Sequence, residues 1–142
     1  MIRPDRVHTC TPGMQQESSA TALGYGDVYV ALVRLLRPQH VLVIGSGFGF
    51  TPGVIALALD ELEAGGKVTF VDPGMDGAAS GRPDLGSGTW ADSDAGADRF
   101  ACLGVAPGTV AHFKEYDDEF FARYEQRKLP QIDLAVIDGA HD

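Results

Sequence analysis

The sequence has no long apolar run, only two cysteines and a deficit of positive charge, and each shortage removes a class of function. Its longest uninterrupted apolar stretch, Val54-Ile55-Ala56-Leu57-Ala58-Leu59, is far too short to span a bilayer, so no membrane role is expected. The opening residues, Met1-Ile2-Arg3-Pro4-Asp5-Arg6, lead into no apolar segment. No secretory signal is therefore expected, and a cytoplasmic protein is the default. Cys10 and Cys102 lie far apart and in no C-x-x-C arrangement, which predicts neither a disulfide framework nor a zinc site. Lys and Arg number 11 against 20 Asp and Glu, a net charge of −9. Unaided attraction to a nucleic acid backbone is not expected on that balance, and a small-molecule substrate fits it better.

What is present is the composition of one ordinary globular domain. Of 142 residues, 44% are hydrophobic and 22% charged, enough for a single core. Residues 1–22 are polar and aperiodic and are expected to form a loosely packed N-terminal arm. From Tyr25 the apolar residues Val28, Leu32, Leu35 and Leu36 recur at helical spacing, with Arg34 and Arg37 near the end and Pro38 as the stop. Val41-Leu42-Val43-Ile44 reads as a central parallel strand buried on both faces. A second helix is expected with Thr51 as N-cap, Pro52 at N1 and Gly65-Gly66 at its end. Lys67 to Asp72 then reads as a second strand, so strand, glycine turn, helix and strand predict a right-handed βαβ unit.

The stretch from Pro73 to Gly96 is rich in glycine and aspartate and is expected to be a lid or an insertion, with Trp90 pinning it. A short helix is expected over 94–103, a third strand over 109–113, and a helix over 117–128 with Phe120, Phe121 and Tyr124 as its buried stripe. Ile132 to Ile137 reads as a fourth strand ending at Asp138-Gly139.

The chemistry concentrates at the first strand-to-helix turn, Gly45-Ser46-Gly47-Phe48-Gly49-Phe50. Glycines there let backbone amides approach a ligand closely. A dinucleotide fingerprint wants glycine or alanine three residues after the second glycine. That position is the bulky Phe50, which disfavours a nicotinamide-dependent oxidoreductase. Asp72, at the tip of the second strand and followed by Pro73, is placed to accept hydrogen bonds from the ribose hydroxyls of an adenosine.

Three motifs, Val41 to Gly49, Gly66 to Pro73 and Ile132 to His141, resemble the class I S-adenosylmethionine (SAM)-dependent methyltransferases. More narrowly, the chain is similar to the macrocin- and catechol-type O-methyltransferases from about Tyr25 onward. The resemblance implies an α/β, Rossmann-like domain over 23–142, carrying strands 3-2-1-4 of a seven-stranded methyltransferase sheet. It implies that Gly45, Ser46, Gly47, Phe48 and Gly49 line the methionine portion of the cofactor, and that Asp72 and Pro73 hold the ribose. It further implies Asp138 as a ligand of a divalent ion such as Mg2+, His141 as general base, and a small-molecule hydroxyl as methyl acceptor. His8, His40 and His112 are expected to be structural.

Two departures from the family pattern matter. Where the family usually carries an acidic residue two before the first glycine, this sequence has Val43, leaving either weak cofactor affinity or another carboxylate in that role. The remaining strands, further metal ligands and most of the acceptor pocket are expected beyond Asp142. The alternative is therefore a non-catalytic cofactor-binding remnant. The outer edge of the fourth strand is expected to be open, which favours a homo-oligomer.

Overall fold

The computed structural model describes residues 1–12, 17–74, 89–90 and 93–138. In chain order the elements are α1 (Pro4–Cys10), α2 (Gly26–Leu36), β1 (His40–Ile44), α3 (Phe50–Leu62), β2 (Lys67–Val71), α4 (Ser93–Leu103), β3 (Val110–Phe113), α5 (Asp117–Ala122), α6 (Tyr124–Arg127) and β4 (Leu134–Ile137). The strands form one parallel sheet in the order β3-β2-β1-β4, the arrangement expected from the sequence. No helix among the described residues is long and apolar enough to cross a membrane.

Strand alternation sorts the side chains into two layers. Val41 and Val43 of β1, Val68 and Phe70 of β2, and Leu134 and Val136 of β4 face the larger core with α2, α3 and α4. Leu42, Ile44, Val71 and Phe113 face a smaller cluster closed by Phe120 and Tyr124 of α5 and α6. α3 is buried nearly all round, as an apolar helix wedged between neighbours must be. On the second face α5 and α6 do not reach β4, so Ala135 is exposed and Ile137 is 70% exposed.

Several local expectations are corrected. Thr51 is not the N-cap of α3: the helix begins at Phe50 with Gly49 as cap at φ +84°, and the Thr51 hydroxyl is used elsewhere. The helix expected over 117–128 is two short ones parted at Arg123. The cause is Glu115, which accepts from Arg127 at 2.6 Å through both oxygens and from Arg123 at 3.5 Å. A straight helix would carry residue 127 about 15 Å along its axis, out of reach. Phe121 is consequently 47% exposed rather than part of the buried stripe. β4 starts two residues later than expected, at Leu134.

The first part of the N-terminal arm, α1, is packed against the domain. Val7 is 1% exposed and Cys10 7%, and Cys10 is bonded to Cys102 of α4 across 92 positions of sequence. No disulfide was expected from the spacing. A link closing so long a loop restricts the unfolded chain by about 4–5 kcal/mol in the chain-entropy model.

Candidate functional site

β1 ends between two carboxylates because its neighbours in the sheet both end in aspartate. The Gly45 amide donates to the Val71 carbonyl at 2.8 Å, and the Asp138 amide donates to the Ile44 carbonyl at 2.7 Å. Asp72 therefore flanks the tip of β1 on the β2 side and Asp138 on the β4 side. The glycine turn rises between them. Gly45 and Gly49 both sit at positive φ, +78° and +84°, where a side chain would be strained.

Ser46 is the hub of the turn and is buried, 5% exposed. Its amide faces an Asp72 oxygen at 3.4 Å, its hydroxyl accepts from the Gly49 amide at 3.1 Å, and its carbonyl accepts from the Trp90 indole N–H at 2.8 Å. Gly49 has a second reason to be glycine: a Cβ there would stand 2.8 Å from the Trp90 ring and 3.2 Å from Cδ of Arg99. Gly47 at the tip is exposed and Phe48 half-buried. The turn thus presents backbone at its crest while its base is fastened from below.

Asp72 is held from two directions, by the Ser46 amide and by the Gly74 amide at 2.8 Å. Burial raises its carboxyl above the ordinary carboxylate value, against the opposing pull of the two amides and of nearby His112. The His112 ring stacks on Phe70 at 4.8 Å, with Nε2 at 3.0 Å from the Asp72 carbonyl. His40 is 2% exposed and bonds the Pro130 carbonyl through Nδ1 and the Thr69 hydroxyl through Nε2. These are the contacts of framework histidines.

On the other flank, the Thr51 hydroxyl donates to Asp138 Oδ2 at 3.1 Å. Tyr29 of α2 joins the pair. Burial raises its phenol, a hydrogen bond with Thr51 opposes that shift, and the charge of Asp138 adds to it. Val43, where an acidic residue was sought, is fully buried in the core.

The structure therefore gathers Gly45, Ser46, Gly47, Phe48, Gly49, Asp72, Pro73 and Asp138 along one edge of the sheet. His141 lies outside the described residues, as does most of the stretch proposed as a lid. Trp90, expected only to pin that stretch, closes on the turn itself and is 2% exposed. Tyr29 and Arg99 carry no sequence signal for the site, and Thr51 carries one only for capping.

Among solved structures, the chain superposes on the O-methyltransferase TomG of Streptomyces achromogenes, which is involved in tomaymycin synthesis and was solved in complex with SAM. The TM-score is 0.65 at 16% identity, over 94% of this chain and 53% of that one. It also superposes on a Klebsiella pneumoniae protein provisionally named an O-methyltransferase, with TM-score 0.61 at 20% identity, over 96% of this chain and 52% of that one. The chain thus spans about half the length of each. No family model and no curated protein matches the sequence.

Proposed function

We propose that this chain, whose sheet and helices are those of the class I SAM-dependent methyltransferase fold, is the cofactor-binding half of an enzyme that methylates a hydroxyl of a small molecule. The observation that carries the reading is Asp72. It is a half-buried carboxylate at the carboxyl end of β2, fixed by the Ser46 and Gly74 amides directly beside the glycine turn. In that position it accepts from the two ribose hydroxyls of the cofactor, with Pro73 continuing the wall. The backbone of Gly45 to Gly49 lines the methionine portion. Phe50 argues against a dinucleotide: it is 2% exposed, and its ring would lie 2.9 Å from a Cβ on Gly26. It stands at the position where a dinucleotide fingerprint calls for glycine or alanine, and here its ring packs against α2.

When bound, S-adenosylmethionine would supply the methyl group to the acceptor oxygen, with S-adenosylhomocysteine as the leaving product. The hydroxyl proton passes to a base, for which His141 is our candidate. Asp138, beside the tip of β1, faces the methyl-transfer end of the site. A divalent ion at this end would take Asp138 as a ligand, and the described residues supply no complete donor set for it. Asp138 supplies a single carboxylate whose Oδ2 already accepts from Thr51, and among the described residues no three His, Cys, Asp or Glu side chains come together.

A second reading, cofactor binding without turnover by this chain itself, is favoured by its spanning about half of each structural neighbour. Calorimetry against S-adenosylhomocysteine and NADH tests the cofactor. Binding of the first and not the second is expected, and the reverse sinks both readings. Methyl transfer to a panel of small hydroxyl compounds then separates the two.

A further inference from the structure

We propose that the Cys10–Cys102 disulfide is a redox clamp on the glycine turn, so that the thiol–disulfide balance around the protein sets how well the turn holds its ligand. The inference rests on the cofactor reading above for the identity of that ligand, though not for the mechanics of the clamp.

The bond joins α1 to α4, and two arginines lock the same helices in a reciprocal pattern. Arg6 Nε donates to the Cys102 carbonyl at 2.6 Å, and Arg99 Nη1 donates to the Cys10 carbonyl at 2.8 Å. Each guanidinium thus satisfies a carbonyl at the carboxyl end of the other helix, where cations are favoured. Arg99 is also the link to the site. Its Cδ lies 3.2 Å from where a Gly49 Cβ would stand, and its guanidinium sits 5.9 Å from the Trp90 ring centre. Trp90 in turn holds the Ser46 carbonyl. A continuous line of contacts therefore runs from the disulfide through Arg99 and Trp90 to both ends of the turn.

α1 depends on the bond. It has only seven residues, too few for stable helix on its own; its start is tied down by Ile2 against the core and by the Met1 amine on Glu61, while its carboxyl end is held by the crosslink and the two arginine contacts. Without the bond, Arg99 loses a fixed partner in Cys10 while retaining a buried Nε that has no hydrogen-bond partner. The bond is also reachable, because Cys102 is exposed while Cys10 is buried. An external low-molecular-weight thiolate attacks the Cys102 sulfur, forming a mixed disulfide and releasing the Cys10 thiolate. A second thiolate then attacks the external sulfur, releasing the Cys102 thiolate and the oxidised small molecule. The exchange consumes two external thiols per bond and runs in reverse in the presence of their disulfide. In a reducing compartment such as the cytoplasm, bonds of this kind are transient and serve sensing.

The full chain should be compared oxidised, reduced with dithiothreitol and reoxidised, with free thiols counted in each state. Reduction should expose two thiols, shift the emission of Trp90, speed deuterium exchange in the peptide spanning 45–49 and weaken S-adenosylhomocysteine binding at least fivefold, the lower end of allosteric couplings. Reoxidation should reverse all of these. Cys102→Ser should behave as the reduced chain in either condition. Unchanged emission and exchange on complete reduction would overturn the clamp, as would global unfolding on reduction, which would make the bond a structural staple. If the turn responds but neither form binds S-adenosylhomocysteine, the clamp stands and the cofactor reading falls.

Discussion

Trp90 donates its indole N–H to the carbonyl of Ser46 at 2.8 Å across 44 positions of sequence, joining the segment that follows β2 to the base of the glycine turn. The ring is also the centre of an aromatic stack, 4.9 Å from Phe70 and 5.6 Å from Phe100. Trp90→Phe keeps most of the packing and removes the donor, leaving a buried carbonyl unpaired at a cost of about 1–3 kcal/mol. Urea unfolding should show that loss, together with weaker S-adenosylhomocysteine binding. A loss of stability with unchanged binding would separate Trp90 from the site.

Asp72 predicts a pH dependence with a definite sign. Burial places its carboxyl above the ordinary value of 3.8, so it stays protonated to a higher pH than an exposed aspartate. Ribose hydroxyls donate to the ionised form. Affinity for S-adenosylhomocysteine should therefore rise with pH through the raised value and level off above it. The contribution to stability runs the other way: it is complete below the unfolded-state pKa of about 4 and is lost as pH rises through the folded one. Asp72→Asn should flatten the binding profile, and Asp72→Ala should weaken binding about tenfold or more, the loss of hydrogen bonds to a charged group. Calorimetry over pH 4 to 8 checks both.

Gly49→Ala should be among the most damaging single changes in the chain. The position requires φ +84°, and the added methyl would meet the Trp90 ring at 2.8 Å. The left-handed conformation alone costs about 1–2 kcal/mol for a residue with a Cβ, before any displacement of the indole. Gly65→Ala has nothing within 4 Å of its added methyl and so reports the backbone cost alone at φ +74°. The difference between the two melting temperatures isolates the clash.

The outer edge of β4 should drive self-association. Among the described residues no strand pairs with it on that side, and its own Ile137 is 70% exposed with no blocking charge or proline in the strand. Light scattering after gel filtration should find dimers or larger species despite the net charge of −9. Ile137→Lys should shift the population toward monomer. A monomeric parent chain would mean that the edge is already covered.

The parts of the fold that were legible in the sequence are those whose signal is local and continuous. β1 could be read because both its faces are buried and all four of Val41 to Ile44 had to be apolar. The place of Asp72 could be read because it ends the strand one helix after the glycine turn. The disulfide could not, since a separation of 92 positions leaves no spacing to interpret. Thr51 looked like a cap because it precedes Pro52, and only the tertiary approach of β4 gives its hydroxyl a carboxylate instead. The break at Arg123 was hidden for the same reason: it follows from Glu115 drawing two arginines back toward itself, whereas charge order along the helix indicated a single element.

His40 and Asp133 lie at the end of the sheet away from the glycine turn, and their effect is on register. The Asp133 carboxylate accepts from the amides of Gln39 and His40, and the His40 ring bonds the carbonyl of Pro130. Together they fix where β4 begins alongside β1. A one-residue slip of β4 would have to break this lock as well as turn Leu134 and Val136 out of the core. The open edge is therefore a template with its ruling already drawn. Whatever polypeptide adds a strand there, from this chain or another, must match a phase set at the far end of the sheet, which favours strands of compatible alternation over merely apolar ones.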